Sequence, residues 1–148
     1  HQSLVELLRD RQKVNPLEHA KTVLTREEVL NLQKKVQEVY VADVVLDYIA
    51  KLAEATRDHE LITLGLSPRG TLALCRMTKA AAYMKERDYV VPQDVKDVFK
   101  DVAAHRMILD SKARYQEKTA REILDEILDS LIAADQAAKL SSLNEEDA

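Results

Sequence analysis

Turn-forming residues are nearly missing from this chain, which has 2 Gly and 3 Pro in 148 residues. A β-sandwich or barrel of that length needs a turn about every 8–12 residues, and turns draw on Gly, Pro and Asn. The alphabet is instead dominated by Ala, Leu, Lys, Glu and Val. Apolar residues make up 46%, an ordinary globular share that argues against wholesale disorder. An all-α fold follows: a helical bundle of about five to six helices, in one domain long enough to bury a core.

Composition also removes whole classes of function. One cysteine excludes a disulfide framework and any multi-Cys zinc site. No apolar run approaches the length of a membrane span, so no membrane insertion is expected. The N-terminus lacks the pattern of a signal peptide, and a cytoplasmic setting is the expectation. A net charge of −4 gives no reason to expect nucleic acid as a partner. The charge is uneven: residues 117–148 carry nine acids and three bases, and the remaining 116 carry 17 acids and 19 bases. The body is therefore close to neutral and the end acidic. The stretch 141–148 has little to bury and is expected to be a frayed acidic tail.

Hydrophobic spacing places the helices. Leu4, Val5, Leu7 and Leu8 form a short apolar face, read as the end of a helix begun upstream and broken by Asn15-Pro16. Thr25-Arg-Glu-Glu28 fits a capping box, with Val29, Leu30, Leu32 and Val36 as the face of a helix over 26–38. Val41, Val44, Val45, Tyr48, Ile49 and Leu52 fall at helical spacing up to about residue 57. Ser67-Pro68 supplies a cap and a first-position proline for the next helix. That helix is apolar nearly all round over 72–84, which predicts a place in the middle of the bundle. Tyr89-Val90-Val91 is too short for a helix and suits a minimal two-stranded β-ribbon, with Leu61-Ile62 as one candidate partner. Pro92 opens another helix, lined by Val95, Val98, Phe99, Val102 and Ala103, with a break near Asp110-Ser111. Thr119-Ala-Arg-Glu122 is a second capping box before the stripe Ile123, Leu124, Ile127, Leu128, Leu131 and Ile132.

Chemistry is sparse. Gly65-Leu-Ser-Pro-Arg-Gly70-Thr71 has two glycines five apart, but the phosphate-binding loop needs Lys-Ser/Thr after the second glycine, and Thr71-Leu72 stand there. Pro68 also lacks an N–H. Arg69 is the unusual residue of this segment: a cation in the first turn of a helix opposes the helix dipole by about 0.3–1 kcal/mol. Beside free N–H groups its guanidinium makes an anion site; the plainer reading is a side chain projecting into solvent. Arg57 and Arg106 sit near helix C-termini, where a cation suits the dipole, and either can face a neighbouring domain. Cys75 reads as an inert core thiol. The histidines at 1, 19, 59 and 105 form no metal-binding spacing, so no metal site is expected.

Three segments together resemble the C-terminal lid of MoxR-type AAA+ ATPases. They are Val44-Val45-Leu46-Asp47-Tyr48-Ile49 running to Thr56-Arg57, then Gly65-Leu66-Ser67-Pro68-Arg69-Gly70, then Arg87-Asp88-Tyr89-Val90-Val91-Pro92-Gln93-Asp94-Val95 running to His105-Arg106. The family pattern reads roughly Tyr-Ile…Thr-Arg, Gly-Ala-Ser-Pro-Arg-Ala, Gly-Arg-Asp-Tyr-Val-x-Pro-Glu-Asp-Val and His-Arg. Asn15-Pro16-Leu17 and Val23-Leu24 resemble the approach to the lid, and the likeness covers about residues 4–132. Departures are Gly70 for Ala, Glu86 for the Gly before Arg87, and Gln93 for an acid.

The resemblance implies a division into residues 1–24, the end of a helix and a linker from a missing ATPase core, 25–140, the helical lid, and 141–148, the tail. It implies that Arg69 is the second sensor arginine, with Ser67 and Pro68 beside the nucleotide and Arg57 and Arg106 as interdomain contacts. ATP and Mg are the cofactors implied for the parent protein; neither is expected to bind tightly to this chain alone, which has no Walker motifs and no expected ATPase activity. The implied partners are the P-loop core of the same chain, neighbouring subunits of a ring (a hexamer), and a client complex with a von Willebrand A domain. The implied role is chaperone-like. Two other readings stay open here: a stand-alone helical interaction domain docking a partner through the 123–132 stripe, and a histone-fold-like module, against which the acidic balance argues.

Overall fold

The computed structural model describes residues 1–11 and 20–146. The Asn15-Pro16-Leu17 segment and His19 lie outside the described residues. The helices are α1 (Gln2–Arg11), α2 (Arg26–Glu38), α3 (Asp43–Asp58), α4 (Pro68–Met84), α5 (Pro92–Ala103), α6 (Ser111–Tyr115) and α7 (Ala120–Glu146), with strands β1 (Ile62–Leu64) and β2 (Ile108–Leu109). The all-α bundle with a small ribbon is thus what forms. Its helix count among the described residues is seven, because the short α6 fills what the sequence pattern left as a break.

The chain divides into a unit His1–Lys34 and a unit Lys35–Ala148, whereas the sequence reading divides it after residue 24. In the first unit, Leu4, Val5, Leu7 and Leu8 of α1 are all exposed. The Thr25 box forms as expected: Thr25 N–H donates to Glu28 Oε2 at 2.7 Å and Glu28 N–H to Thr25 Oγ1 at 3.2 Å. The α2 face does not become core, since no residue of that helix is buried.

In the second unit the core is built from α3, α4, α5 and α7. Val45, Ile49 and Leu52 of α3 are buried, but Val44 is 73% exposed; the apolar stripe there is one residue too wide. Helix α4 is not central. It buries one face through Gly70, Leu74, Thr78 and Ala82 and leaves Leu72, Met77 and Met84 exposed. Cys75 is half-buried rather than a core thiol. Helix α5 packs on α4 through its predicted face, with Val95, Phe99, Val102 and Ala103 buried. The α7 stripe is core too: Ile123, Leu124, Ile127 and Leu128 are buried, so it is not a docking face. The second box holds, with Thr119 N–H on Glu122 Oε2 at 2.7 Å. The backbone of α7 runs on to Glu146, into the segment expected to fray.

The ribbon forms with a different partner. Strand β1 pairs antiparallel with β2, Ile62 opposite Leu109 and Leu64 opposite Ile108. Tyr89 instead makes an isolated parallel bridge with Tyr40, where Val90 N–H donates to Tyr40 O at 3.0 Å. The Val91 N–H is taken by the Asp94 carboxylate at 3.0 Å, so that segment has no ladder left to offer β1. Helix α5 ends at Ala103 and passes through a 3-10 turn, Ala104–Arg106, into β2.

Candidate functional site

The start of α4 gathers the residues that the sequence singled out. Ser67 is the N-cap, its Oγ accepting from the Gly70 N–H at 3.2 Å, and Pro68 follows at the first helical position. The Thr71 N–H goes to the Ser67 carbonyl at 2.9 Å. Pro68 has no donor, and among the described residues the Ser67 and Arg69 N–H groups at this helix start stay unengaged. The expected cradle of free N–H groups is therefore reduced to two, and the Ser67 side chain and Pro68 are accounted for as the helix start. Arg69 is exposed and makes no hydrogen bond or ion pair with a described residue.

The other two arginines meet the same turn. Arg57, in the last turn of α3, donates from Nε to the Leu66 carbonyl at 2.9 Å. Arg106 donates from Nη1 to the Val102 carbonyl at 2.5 Å and also contacts His105 Nε2. Its stem passes Gly70 so closely that a Cβ there would lie 3.4 Å from Arg106 Cδ. The structure thus brings Arg57, Arg69 and Arg106 to one end of α4, with Arg69 alone of the three lacking a protein acceptor among the described residues.

Both glycines serve close approach at this end. A Cβ on Gly65 would meet the Thr56 carbonyl oxygen at 2.5 Å and Arg57 Cα at 2.7 Å, and one on Gly70 would meet Leu66 Cδ1 at 2.6 Å. Spacing alone missed Thr56. Its buried hydroxyl accepts from the Leu66 N–H at 2.9 Å; the only sequence signal was its place before Arg57 in the Thr-Arg pair.

Spacing also missed Asp94, at the far end of α4. This fully buried carboxylate receives Arg87 at 2.8 and 2.5 Å, Lys85 at 3.0 Å and the Val91 N–H at 3.0 Å. Burial, the largest single influence, pushes its pKa up; the bonds from Arg87, Val91 and Lys85 together outweigh that and hold it down at about 2. The signal for it was a carboxylate two residues after a helix-starting proline, with basic residues just upstream. Among the described residues no cluster of His, Cys, Asp or Glu is arranged to hold a metal, and no helix is long and apolar enough to cross a membrane.

The model of the AAA lid domain family matches residues 54–127, half of the chain, and spans Thr56, Arg57, Arg69, Asp94 and Arg106. This chain belongs to the AAA lid domain family. YeaC of Bacillus subtilis (strain 168), an uncharacterized protein, is 33% identical over 127 residues, covering 86% of this chain and 40% of YeaC. Chaperone MoxR1 of Mycobacterium tuberculosis is 30% identical over 121 residues, 76% of this chain and 32% of MoxR1. A crystal structure of a protein assigned as an ATPase from Cytophaga hutchinsonii superposes with a TM-score of 0.73 at 29% identity, covering 86% of this chain and 41% of that one. The lid is of the MoxR type, and the chain spans about two fifths of the length of YeaC and of the solved structure. Membership in this family sets aside the histone-like reading.

Proposed function

We propose that this lid serves a MoxR-like AAA+ ATPase by supplying Arg69 as a second sensor arginine to ATP bound on a P-loop domain of the same protein. The observation that supports the reading is the state of Arg69 itself. It stands in a first turn fixed by the Ser67 cap and Pro68, exposed, with no acceptor among the described residues. A cation at a helix start is unfavourable by about 0.3–1 kcal/mol, so within the bundle this charge gains nothing. A phosphate oxygen is the partner whose chemistry fits an exposed planar guanidinium at a helix start that keeps unengaged N–H groups.

ATP with Mg supplies the phosphoryl group and the charge that develops on it. Arg69 holds a fixed positive group against that charge, from its own or the adjacent subunit of a hexameric ring. After transfer Arg69 loses its partner, and the lid is free to change angle, which couples hydrolysis to ring motion. The chain alone is not an ATPase in this reading. The role is chaperone-like and cytoplasmic, acting on a client complex with a von Willebrand A domain.

The test is Arg69→Ala in the full-length ATPase. A lost charged hydrogen bond costs about 1.5–3 kcal/mol, so turnover should fall tenfold or more. The melting temperature should stay at the wild-type value or rise slightly, because Arg69 makes no hydrogen bond or ion pair with a described residue and its charge opposes the helix dipole. Wild-type turnover would remove the sensor role.

A further inference from the structure

Leu66 immediately precedes the Ser67-Pro68-Arg69 start of α4, and the last turn of α3 holds its backbone at both polar groups. Its N–H donates to Thr56 Oγ1 at 2.9 Å, and its carbonyl accepts from Arg57 Nε at 2.9 Å. The Thr56 hydroxyl is used twice, since it also donates to the Ala53 carbonyl at 2.7 Å. That second bond fixes the hydroxyl rotor and aims its lone pair at Leu66. Gly65 permits the approach, because any Cβ there would strike the α3 backbone. From Leu66 onward little rotates: Ser67 is tied by its cap bond to the Gly70 N–H, and the Pro68 ring fixes its own φ.

We infer that Thr56 and Arg57 are positioning residues for Arg69, a two-point clamp on the backbone of Leu66 that transmits the placement of α3 to the sensor arginine. The inference rests on the sensor reading of Arg69. It differs from a plain turn staple in what it predicts: loosening the clamp misplaces Arg69 without removing it, so the chemical step suffers before the fold does. It also gives the Thr-Arg pair a role inside the lid, where the sequence alone suggested an interdomain contact for Arg57.

The test uses the full-length ATPase and five variants. Thr56→Val keeps the shape of the side chain and removes the acceptor, Thr56→Ser keeps the acceptor, and Arg57→Ala removes an exposed side chain whose loss leaves the core intact. Arg69→Ala alone and combined with Thr56→Val completes the set. Misplacement of a reacting contact costs roughly ten- to a hundredfold, so Thr56→Val and Arg57→Ala should each lower kcat about tenfold, with KM for ATP changed far less. Thr56→Ser should restore turnover. The double variant should turn over no more slowly than Arg69→Ala alone, because a clamp has nothing to position once the arginine is gone. Hydrogen exchange at the Leu66 amide should be slow in wild type and Thr56→Ser and fast in Thr56→Val. If Arg69→Ala is slow but both clamp variants turn over normally, or if the double variant loses activity additively, the clamp is only a staple and the inference is overturned. If Arg69→Ala itself turns over normally, the sensor reading falls and takes the clamp's role with it.

Discussion

Asp94 carries a full charge in a place where burial argues against one. Its side chain is wholly enclosed, yet Arg87, Lys85 and the Val91 N–H hold its pKa at about 2, below the ordinary 3.8. A depressed carboxylate contributes stability that is present above its unfolded pKa and is lost as pH falls through its folded one. The window here runs from about pH 4 down to 2, and the amount at stake is about 2 kcal/mol. Urea titrations should therefore show wild type losing that much stability across the window. Asp94→Asn, which starts about 3 kcal/mol lower at pH 7, should lose much less; parallel pH profiles would disprove the assignment. A second charge pays a backbone cost. Glu86 has φ 58° and Glu117 φ 56°, left-handed positions that a helix end usually gives to glycine. Each closes its helix as a Schellman turn: Arg87 N–H returns to Ala82 O at 3.1 Å and Lys118 N–H to Ala113 O at 2.9 Å. Glu86→Gly should then stabilise the chain by about 0.5–1 kcal/mol in thermal melts, and an unchanged or lower midpoint would mean that the glutamate makes up its strain elsewhere.

Among the elements, α7 tests how the bundle is held. Leu124 is 0% exposed and lies on α7, which packs on α3 and α5, while the cross-links at its rim are surface pairs, Lys100 with Asp125 at 2.7 Å and Arg121 with Asp101 at 2.6 Å. Exposed pairs contribute about 0–1 kcal/mol each. Leu124→Ala should cost about 3 kcal/mol in urea unfolding with no change in sedimentation; a change in association alone would make the stripe an interface after all. The stripes of α5 and α7, the two capping boxes and the Ser67-Pro68 start were legible because each depends on residues within a few positions. The partner of β1 was not, because Tyr89-Val90-Val91 and Ile108-Leu109 are equally suited to a short strand, and the choice rests on Tyr40 and Asp94 claiming the first. The faces of α4 were illegible for another reason: a helix apolar all round has no periodicity to say which side is inward, and Leu74 rather than Leu72 or Met77 turned out to face the core. At the site, Arg69 and its cap were readable from local chemistry, whereas the hold of Thr56 on Leu66, ten residues apart, exists only in three dimensions.

At the scale of the whole molecule, the proposed sensor role needs a second surface. At the start of α4 Arg69 is exposed and the Ser67 and Arg69 N–H groups make no hydrogen bond with a described residue, while Ser67 spends its side-chain oxygen on its own helix and Pro68 has no donor. A charged hydrogen bond yields about 1.5–3 kcal/mol, and association costs about 4–15 kcal/mol in lost translation and rotation before any contact is counted. In the proposed sensor role, then, a single arginine would not hold a nucleotide by itself; most of the affinity would come from another surface, and the lid would discriminate what that surface had already bound. That is the arrangement a sensor needs, since a lid that bound ATP tightly by itself would not report transfer of the phosphoryl group. Calorimetry of this chain with Mg-ATP should accordingly show no binding tighter than about 1 mM, the equivalent of roughly 4 kcal/mol. The same titration on the full-length protein should show tight binding that Arg69→Ala weakens only modestly, because its loss falls on the transition state more than on the ground state. A micromolar dissociation constant for the isolated chain would mean that the lid carries a nucleotide site of its own, and the division of labour argued from Arg69 would fail.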